Sequence, residues 1–187
     1  DYHYRAWKYL SDEMGWSFTR EINHRLRGIS RSESLLIIAE ENNRVLTEAE
    51  IKIMMEKKNR RYLELLDGLS NGDIMPGTIE FLSHLRKRGV KIALASASRN
   101  AGYIIEKLGL SNAFDYIVSA AEVEFGKPDP EIFIKASEGI DVLPDECVGF
   151  EDAQPGIEGI NAAGMKSVGV GASVRGSDCD LSITNLS

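Results

Sequence analysis

The chain has 187 residues, a hydrophobic share of 43% and a formal net charge of -7 at pH 7. That length fits one core plus a modest cap or insertion, and the apolar share excludes a disordered chain. The acidic balance argues against a nucleic-acid partner, which needs a basic face, yet leaves room for a phosphorylated metabolite wherever a few Lys and Arg converge. Cys147 and Cys179 stand apart, with no CxxC and no Cys/His cluster, so structural zinc is not expected and a reduced, cytoplasmic setting fits. Nothing reads as a signal peptide, and no apolar run approaches the ~20 residues of a membrane span. The chain opens on Asp1-Tyr2-His3 without an initiator Met and stops at Leu186-Ser187, straight after a segment that reads as a strand; it looks clipped at both ends.

In chain order, residues 1–68 read as helices only, a helical cap domain. One helix follows Ser30, with Leu35, Leu36 and Ile38 on its apolar face; Gly28 and Ser30 mark the turn before it. The clearest helix is introduced by the capping box Thr47-x-x-Glu50 and carries Ile51, Met54, Met55, Tyr62, Leu65 and Leu66 along one face. From about Asp73 the rhythm changes. Pro76-Gly77 opens a helix that Gly89 ends, and Val90 to Ala95 is a short apolar strand. A helix over Ile104, Ile105 and Leu108 leads to a strand at Tyr116-Ile117-Val118. Asp129-Pro130 reads as an N-cap with Pro at the first helical position. Glu146 to Phe150 is a strand, Pro155 to Ala163 a helix, and Lys166 to Val170 another strand. Repeated strand–helix units predict an α/β fold, a doubly wound parallel sheet over residues 69–187, with helices on both faces.

In open α/β sheets ligands bind beyond the carboxyl ends of the strands, and three segments fall there. Ala95-Ser96-Ala97-Ser98-Arg99-Asn100 is either a phosphate cradle of hydroxyls and backbone N–H groups or an ordinary Ser cap. Gly126-Lys127-Pro128-Asp129-Pro130 holds a Lys on a Pro-braced turn, aimed at a phosphoryl group or simply solvated. Gly149-Phe150-Glu151-Asp152 ends a strand in two carboxylates, suited to Mg²⁺ or to helix capping by Asp152. Structure alone does not require all three at successive strand ends.

Ser96, then Lys127-Pro128 in its GKPDP setting, then Gly149-Phe150-Glu151-Asp152 resemble the second, third and fourth signature motifs of the haloacid dehalogenase superfamily. The resemblance covers essentially the whole chain. It implies a Rossmann-like core in which Ser96 and Lys127 handle the phosphoryl group, with Ala97 and Asn100 beside them, and Glu151 and Asp152 hold Mg²⁺. The helical opening (Tyr2-His3-Tyr4-Arg5-Ala6-Trp7-Lys8, Leu26-Arg27-Gly28-Ile29-Ser30-Arg31-Ser32-Glu33-Ser34 and Lys57-Lys58-Asn59) is similar to the β-phosphoglucomutase family. That likeness implies that Arg31 grips the distal phosphate of a sugar and that His3 sits near an acid/base aspartate. It also implies that Ser34 and Lys58 line the sugar site and that Trp7 braces the cap. A guanidinium does make a bidentate grip on phosphate that Lys cannot reproduce. Taken without the family, Arg31 reads equally as a solvated helix start, His3 and Trp7 as a packed i, i+4 pair, and Lys58 as part of the solvated run Lys57 to Arg61. His24 and His84 receive no role.

One departure matters. The superfamily's first motif is an apolar strand ending Asp-x-Asp-Gly, whose first Asp becomes an aspartyl phosphate. No such stretch is found, and the helix expected after Thr184 to Ser187 is also missing, so the chain as it stands lacks the nucleophile. The resemblance sets that strand between the one ending at Ala95 and the one ending at Phe150. Without it those two strands either face each other across an open lane or pair directly. The expected activity is Mg²⁺-dependent interconversion of β-glucose 1-phosphate and glucose 6-phosphate by a cytoplasmic monomer whose partner is a small sugar phosphate. The alternatives are a sugar-phosphate phosphatase on the same scaffold and an inactive fragment that binds phosphate or Mg²⁺.

Overall fold

The structure, a computed structural model, describes residues 2–187. They divide into two compact units, one ending at Leu69 and the other spanning Ser70–Ser187.

The first unit is helical: α1 (Tyr2–Met14), α2 (Arg20–Arg25), α3 (Arg31–Glu41) and α4 (Glu48–Leu66). Its two longest later helices start at reciprocal caps. Ser30 Oγ accepts from the Glu33 N–H while the Glu33 carboxylate accepts from the Ser30 N–H, and Thr47 and Glu50 repeat the arrangement. Each such box satisfies amide groups that a helix start otherwise leaves to water. α1 lies mainly against α4, and Trp7, Leu10, Trp16, Phe18, Leu35, Ile38 and Met54 form the core. Asn42 ties the end of α3 to the loop before α2, exchanging hydrogen bonds with the Ser17 backbone in both directions.

The second unit alternates helix and strand: α5 (Thr78–Lys87), β1 (Ala93–Ser96), α6 (Ala101–Lys107), β2 (Tyr116–Ser119), α7 (Glu131–Gly139), β3 (Val148–Glu151), α8 (Gln154–Ala162), β4 (Lys166–Val170) and β5 (Leu181–Ile183). Every ladder is parallel, with Ala93 opposite Tyr116, Val148 opposite Lys166 and Val168 opposite Leu181. α7 packs on β1 and β2, α8 on β3 and β4, and Val118, Ile132, Phe133, Ala136, Ile160 and Met165 fill the space between. The fit is close enough to demand glycine twice. A Cβ at Gly139 would lie 2.0 Å from the Tyr116 ring, and one at Gly149 would lie 2.6 Å from Ile160 Cδ1.

The α/β class with parallel strands holds, and the strands form two sheets, β1-β2 and β3-β4-β5. Among the described residues no ladder joins β1 to β3, so direct pairing of the two is ruled out. The facing side is correspondingly exposed. Phe150 is 42% exposed and meets Phe81 edge-on at 5.2 Å, and α5 buries none of its residues. Several boundaries also differ from the sequence reading, three of them with a visible local cause. β1 starts at Ala93 because Ile92 gives its N–H to the Asp115 carboxylate, ahead of the ladder. β3 starts at Val148 because Pro144–Glu146 turns as a 3₁₀ helix. Pro130 is the N-cap of α7, yet Asp129 still accepts the Glu131 N–H at 2.9 Å, so its capping chemistry survives one position away.

Candidate active site

In the α/β unit the carboxyl ends of β1 and β3 are linked through one side chain. Lys127 Nζ is 2.6 Å from Glu151 Oε2, at the last residue of β3, and 3.4 Å from the carbonyl oxygen of Ala95 in β1. Lys127 rises from the loop before α7, whose Lys127–Pro128 peptide is cis, and its ammonium lies 4.8 Å from the centre of the Phe133 ring. Both charged side chains are nearly closed off, at 7% and 9% exposure. At that burial a lost partner leaves an uncompensated charge, so the pair is held as a unit.

Glu151 is fixed from its other oxygen too. Oε1 accepts from the backbone N–H groups of Asp152 (3.1 Å) and Ala153 (3.3 Å), at the entrance to α8. The carboxylate also lies against Gly156, where a Cβ would stand 2.1 Å from Glu151 Cδ; only a glycine leaves room. Asp152, next in the chain, is exposed. Ser96 ends β1 beside Ala95, and its Oγ accepts the Ser98 N–H at 3.2 Å, while Ser98 Oγ accepts the Asn100 N–H. The loop after β1 therefore winds through two successive hydroxyl caps, and Ser96, Ala97 and Asn100 are all half-buried there. Lys127, Glu151 and the end of β1 are thus brought together, with Asp152 at the open side.

Five candidates belong to the helical unit. Lys58, in the middle of α4, is 1% exposed, which overturns the solvated-face reading of its run. Its Nζ sits 3.0 Å from His3 Nδ1 and faces the Trp7 and Tyr62 rings at 4.8 and 4.7 Å. His3 in turn lies against Tyr62, ring centres 4.2 Å apart. Burial first, then the Arg31 charge, drives the Lys58 amine down to about 7. Burial, then Lys58 and then Arg31, holds the His3 imidazole down at about 3. His3 keeps an exposed side while its Nδ1 faces Lys58, and the lowered pKa leaves the imidazole neutral at neutral pH. Arg31 starts α3 and is half-buried. Ser34 is buried and donates its hydroxyl to the Ser30 carbonyl at 2.8 Å, bracing the first turn of α3. Lys58, His3, Trp7 and Arg31 thus form one cationic and aromatic cluster. Tyr62 belongs to it as well, and its place at i+4 from Lys58 was a signal available in the sequence.

The sequence contains an Asp-x-Asp spacing that the motif reading passed over, Asp178-Cys179-Asp180. It enters β5 instead of leaving a strand, and Leu181 follows where the motif has Gly. Asp180 accepts the Ser167 N–H at 2.8 Å and pairs with Lys166, so it serves as a structural brace.

A family model for haloacid dehalogenase-like hydrolases matches residues 2–164. A β-phosphoglucomutase from Bacillus subtilis is 42% identical over 173 residues, 91% of this chain and 76% of that protein. A phosphorylated carbohydrates phosphatase from Thermotoga maritima is 30% identical, over 89% of this chain and 76% of that protein. Among solved structures, a β-phosphoglucomutase from Clostridium difficile superposes with a TM-score of 0.93 at 39% identity, covering 99% of this chain and 84% of that one. With a parallel α/β core whose buried Lys–Glu pair joins two strand ends, the chain belongs to the haloacid dehalogenase-like hydrolase family.

Proposed function

We propose that this chain carries the binding and charge-neutralising machinery of a β-phosphoglucomutase, which interconverts β-glucose 1-phosphate and glucose 6-phosphate by way of an aspartyl phosphate and a sugar bisphosphate. The observation that carries the reading is Lys127, a buried ammonium held between the ends of β1 and β3. A fixed cation at that point suits the negative charge that spreads over the equatorial oxygens of a transferring phosphoryl group. The Ser96 hydroxyl, which accepts the Ser98 N–H, keeps its own O–H as a neutral donor to the same oxygens. The residues 1–68 act as the cap in this reading, with Arg31 on the distal phosphate and Lys58, His3, Trp7 and Ser34 around the sugar.

The donor set fits Mg²⁺. Two adjacent carboxylates with water and phosphoryl oxygens completing the shell is the arrangement this hard cation favours. Asp152 is exposed and Glu151 is already oriented, although among the described residues no third acidic or histidine side chain joins them. Bound there, the ion would neutralise phosphoryl charge; Glu151 and Asp152 would hold it, and Lys127 would keep Glu151 aimed. The 187 residues hold no Asp-x-Asp-Gly, so no step of nucleophilic attack is assigned to a residue of this chain.

The phosphatase from Thermotoga maritima favours a second reading, hydrolysis of a sugar phosphate on the same scaffold. A coupled dehydrogenase assay on the natural gene product, with β-glucose 1-phosphate and a trace of glucose 1,6-bisphosphate, tests the proposal. Glucose 6-phosphate should form, and Lys127→Met should abolish it. Failure of the unaltered protein to make glucose 6-phosphate would sink the mutase reading.

A further inference from the structure

We infer that Asn71 is a self-modification site: the Gly72 backbone nitrogen attacks the Asn71 carboxamide, and the link between the two units converts to an aspartyl or isoaspartyl form. The inference is independent of the phosphoryl chemistry. Asn71-Gly72 is the only Asn–Gly pair in the 187 residues, and it lies just past the Leu69–Ser70 boundary at which the units divide. Ser70, Asn71, Gly72 and Asp73 are exposed, and the 3₁₀ turn Asn71–Asp73 buries none of its residues. Among the described residues the Asn71 carboxamide has no hydrogen-bond partner, so nothing ties down the carbon to be attacked. Nor does the fold need glycine beside it. The φ of Gly72 lies outside the left-handed region, and a Cβ there would meet only Ser70 Oγ, at 3.5 Å, an ordinary contact. What the missing side chain does is leave the Gly72 nitrogen unshielded. Its N–H is held only by Ser70 Oγ, at 3.3 Å. The chain's one Asp–Gly pair, Asp67-Gly68, is tied more firmly, because both N–H groups donate to backbone carbonyls at the end of α4.

The reaction needs only water. The Gly72 nitrogen gives its proton to solvent base and bonds to Asn71 Cγ; the carboxamide C–N bond breaks, and the leaving nitrogen takes up a proton and departs as ammonia. Water then adds to one of the two carbonyls of the cyclic imide and opens the ring. Addition at Cγ restores the main chain as Asp. Addition at the former main-chain carbonyl leaves the chain running through Cβ and Cγ, one atom longer, with the old carbonyl as a free carboxylate. The turn sets the pace. Its bonds are Asp73 N–H to the Ser70 carbonyl at 2.9 Å, Ile74 N–H to the Asn71 carbonyl at 3.2 Å, and Ser70 N–H to the Asp73 carboxylate at 2.9 Å. A 3₁₀ backbone, with ψ of about −20 to −30°, does not line up the Gly72 nitrogen with Cγ, so attack waits for the turn to open. Exposed turns with few buried contacts open at least cost. The isoaspartyl product cannot reclose, because the acceptor of the Ile74 N–H has left the main chain. Each converted chain carries an added negative charge between its units, so the link marks the age of the molecule.

Ageing the natural gene product in ¹⁸O-labelled water at mildly alkaline pH, followed by peptide mapping with electron-transfer fragmentation, tests the inference. Asn71 should convert ahead of every other Asn, each converted peptide carrying solvent oxygen. Gly72→Ala, which the fold accommodates, should slow conversion severalfold. Ser70→Ala, which frees the Gly72 N–H and weakens the turn, should speed it severalfold. In denaturant the Gly72→Ala difference should persist and the Ser70→Ala difference vanish, separating shielding of the nitrogen from opening of the turn. Earlier conversion of another Asn, or equal rates in the parent and Gly72→Ala, overturns the site. Equal rates in the folded parent and folded Ser70→Ala overturn its control by the turn.

Discussion

Replacing Gly156 by Ala tests whether Glu151 is locked to Lys127 or only rests beside it. A Cβ at position 156 would lie 2.1 Å from Glu151 Cδ and 2.2 Å from Oε2, where ordinary contact begins at 3.4 Å. The carboxylate must therefore retreat by about 1.3 Å, the difference between 3.4 and 2.1 Å. Oε2 is the atom that meets Lys127 Nζ at 2.6 Å, so the retreat opens an ion pair whose members are 7% and 9% exposed. Breaking a buried pair costs about 3–5 kcal/mol, because the remaining charge is left without a partner. Exchanging Gly for Ala inside α8 returns up to about 1 kcal/mol of helix propensity. A net loss of roughly 2–4 kcal/mol is expected, a large part of a domain's ~5–15 kcal/mol. Denaturant midpoints measure it directly. In a Glu151→Ala background the clash is gone, and Gly156→Ala should become neutral or mildly stabilising. If Gly156→Ala is as stable as the parent, or costs the same in both backgrounds, Glu151 is not held as described.

Three further outcomes are expected. Arg31→Ala in the natural gene product should leave phosphorylation by a small phosphodonor intact while lowering mutase turnover by roughly a hundredfold or more, as loss of a charged bidentate contact does; unchanged turnover removes Arg31 from the site. Lys58→Met should stabilise the fold most below about pH 7, where the folded protein must protonate a buried amine. Because the amine sits at about 7 when folded against 10.5 otherwise, the unfolded chain binds the extra proton between those values. The parent therefore gains stability as pH rises through that window, and the advantage of Lys58→Met shrinks there; a pH-independent difference between the two contradicts the assignment. Thr47→Ala should cost about 1 kcal/mol in the helical unit by opening the cap of α4, read from thermal unfolding of that unit, and an unchanged midpoint would mean the cap is solvated away.

What the sequence made legible was local or chemical. Thr47 and Glu50 announce α4 because a capping box is a four-residue pattern, and the paired carboxylates after Phe150 announce a strand end because both features lie within one loop. The burial of Lys58 was hidden by its charged neighbours, Lys57 and Arg60, although Met54, Lys58 and Tyr62 recur every four residues and share one face of the helix. Non-local facts were out of reach. Ile92 leaves its strand because Asp115, 23 residues on, takes its N–H. Contact between Lys127 and Glu151 could be expected from their placement at strand ends, but the role of Gly156 in making room for that carboxylate needs coordinates.

The central claim, transfer of a phosphoryl group between sugar positions, is tested most directly by ³¹P NMR of the natural gene product acting on β-glucose 1-phosphate with Mg²⁺ and a trace of glucose 1,6-bisphosphate. The account predicts that the glucose 1-phosphate signal is replaced by that of glucose 6-phosphate while inorganic phosphate stays flat. Inorganic phosphate rising in step with the loss of substrate would contradict it and make the protein a phosphatase.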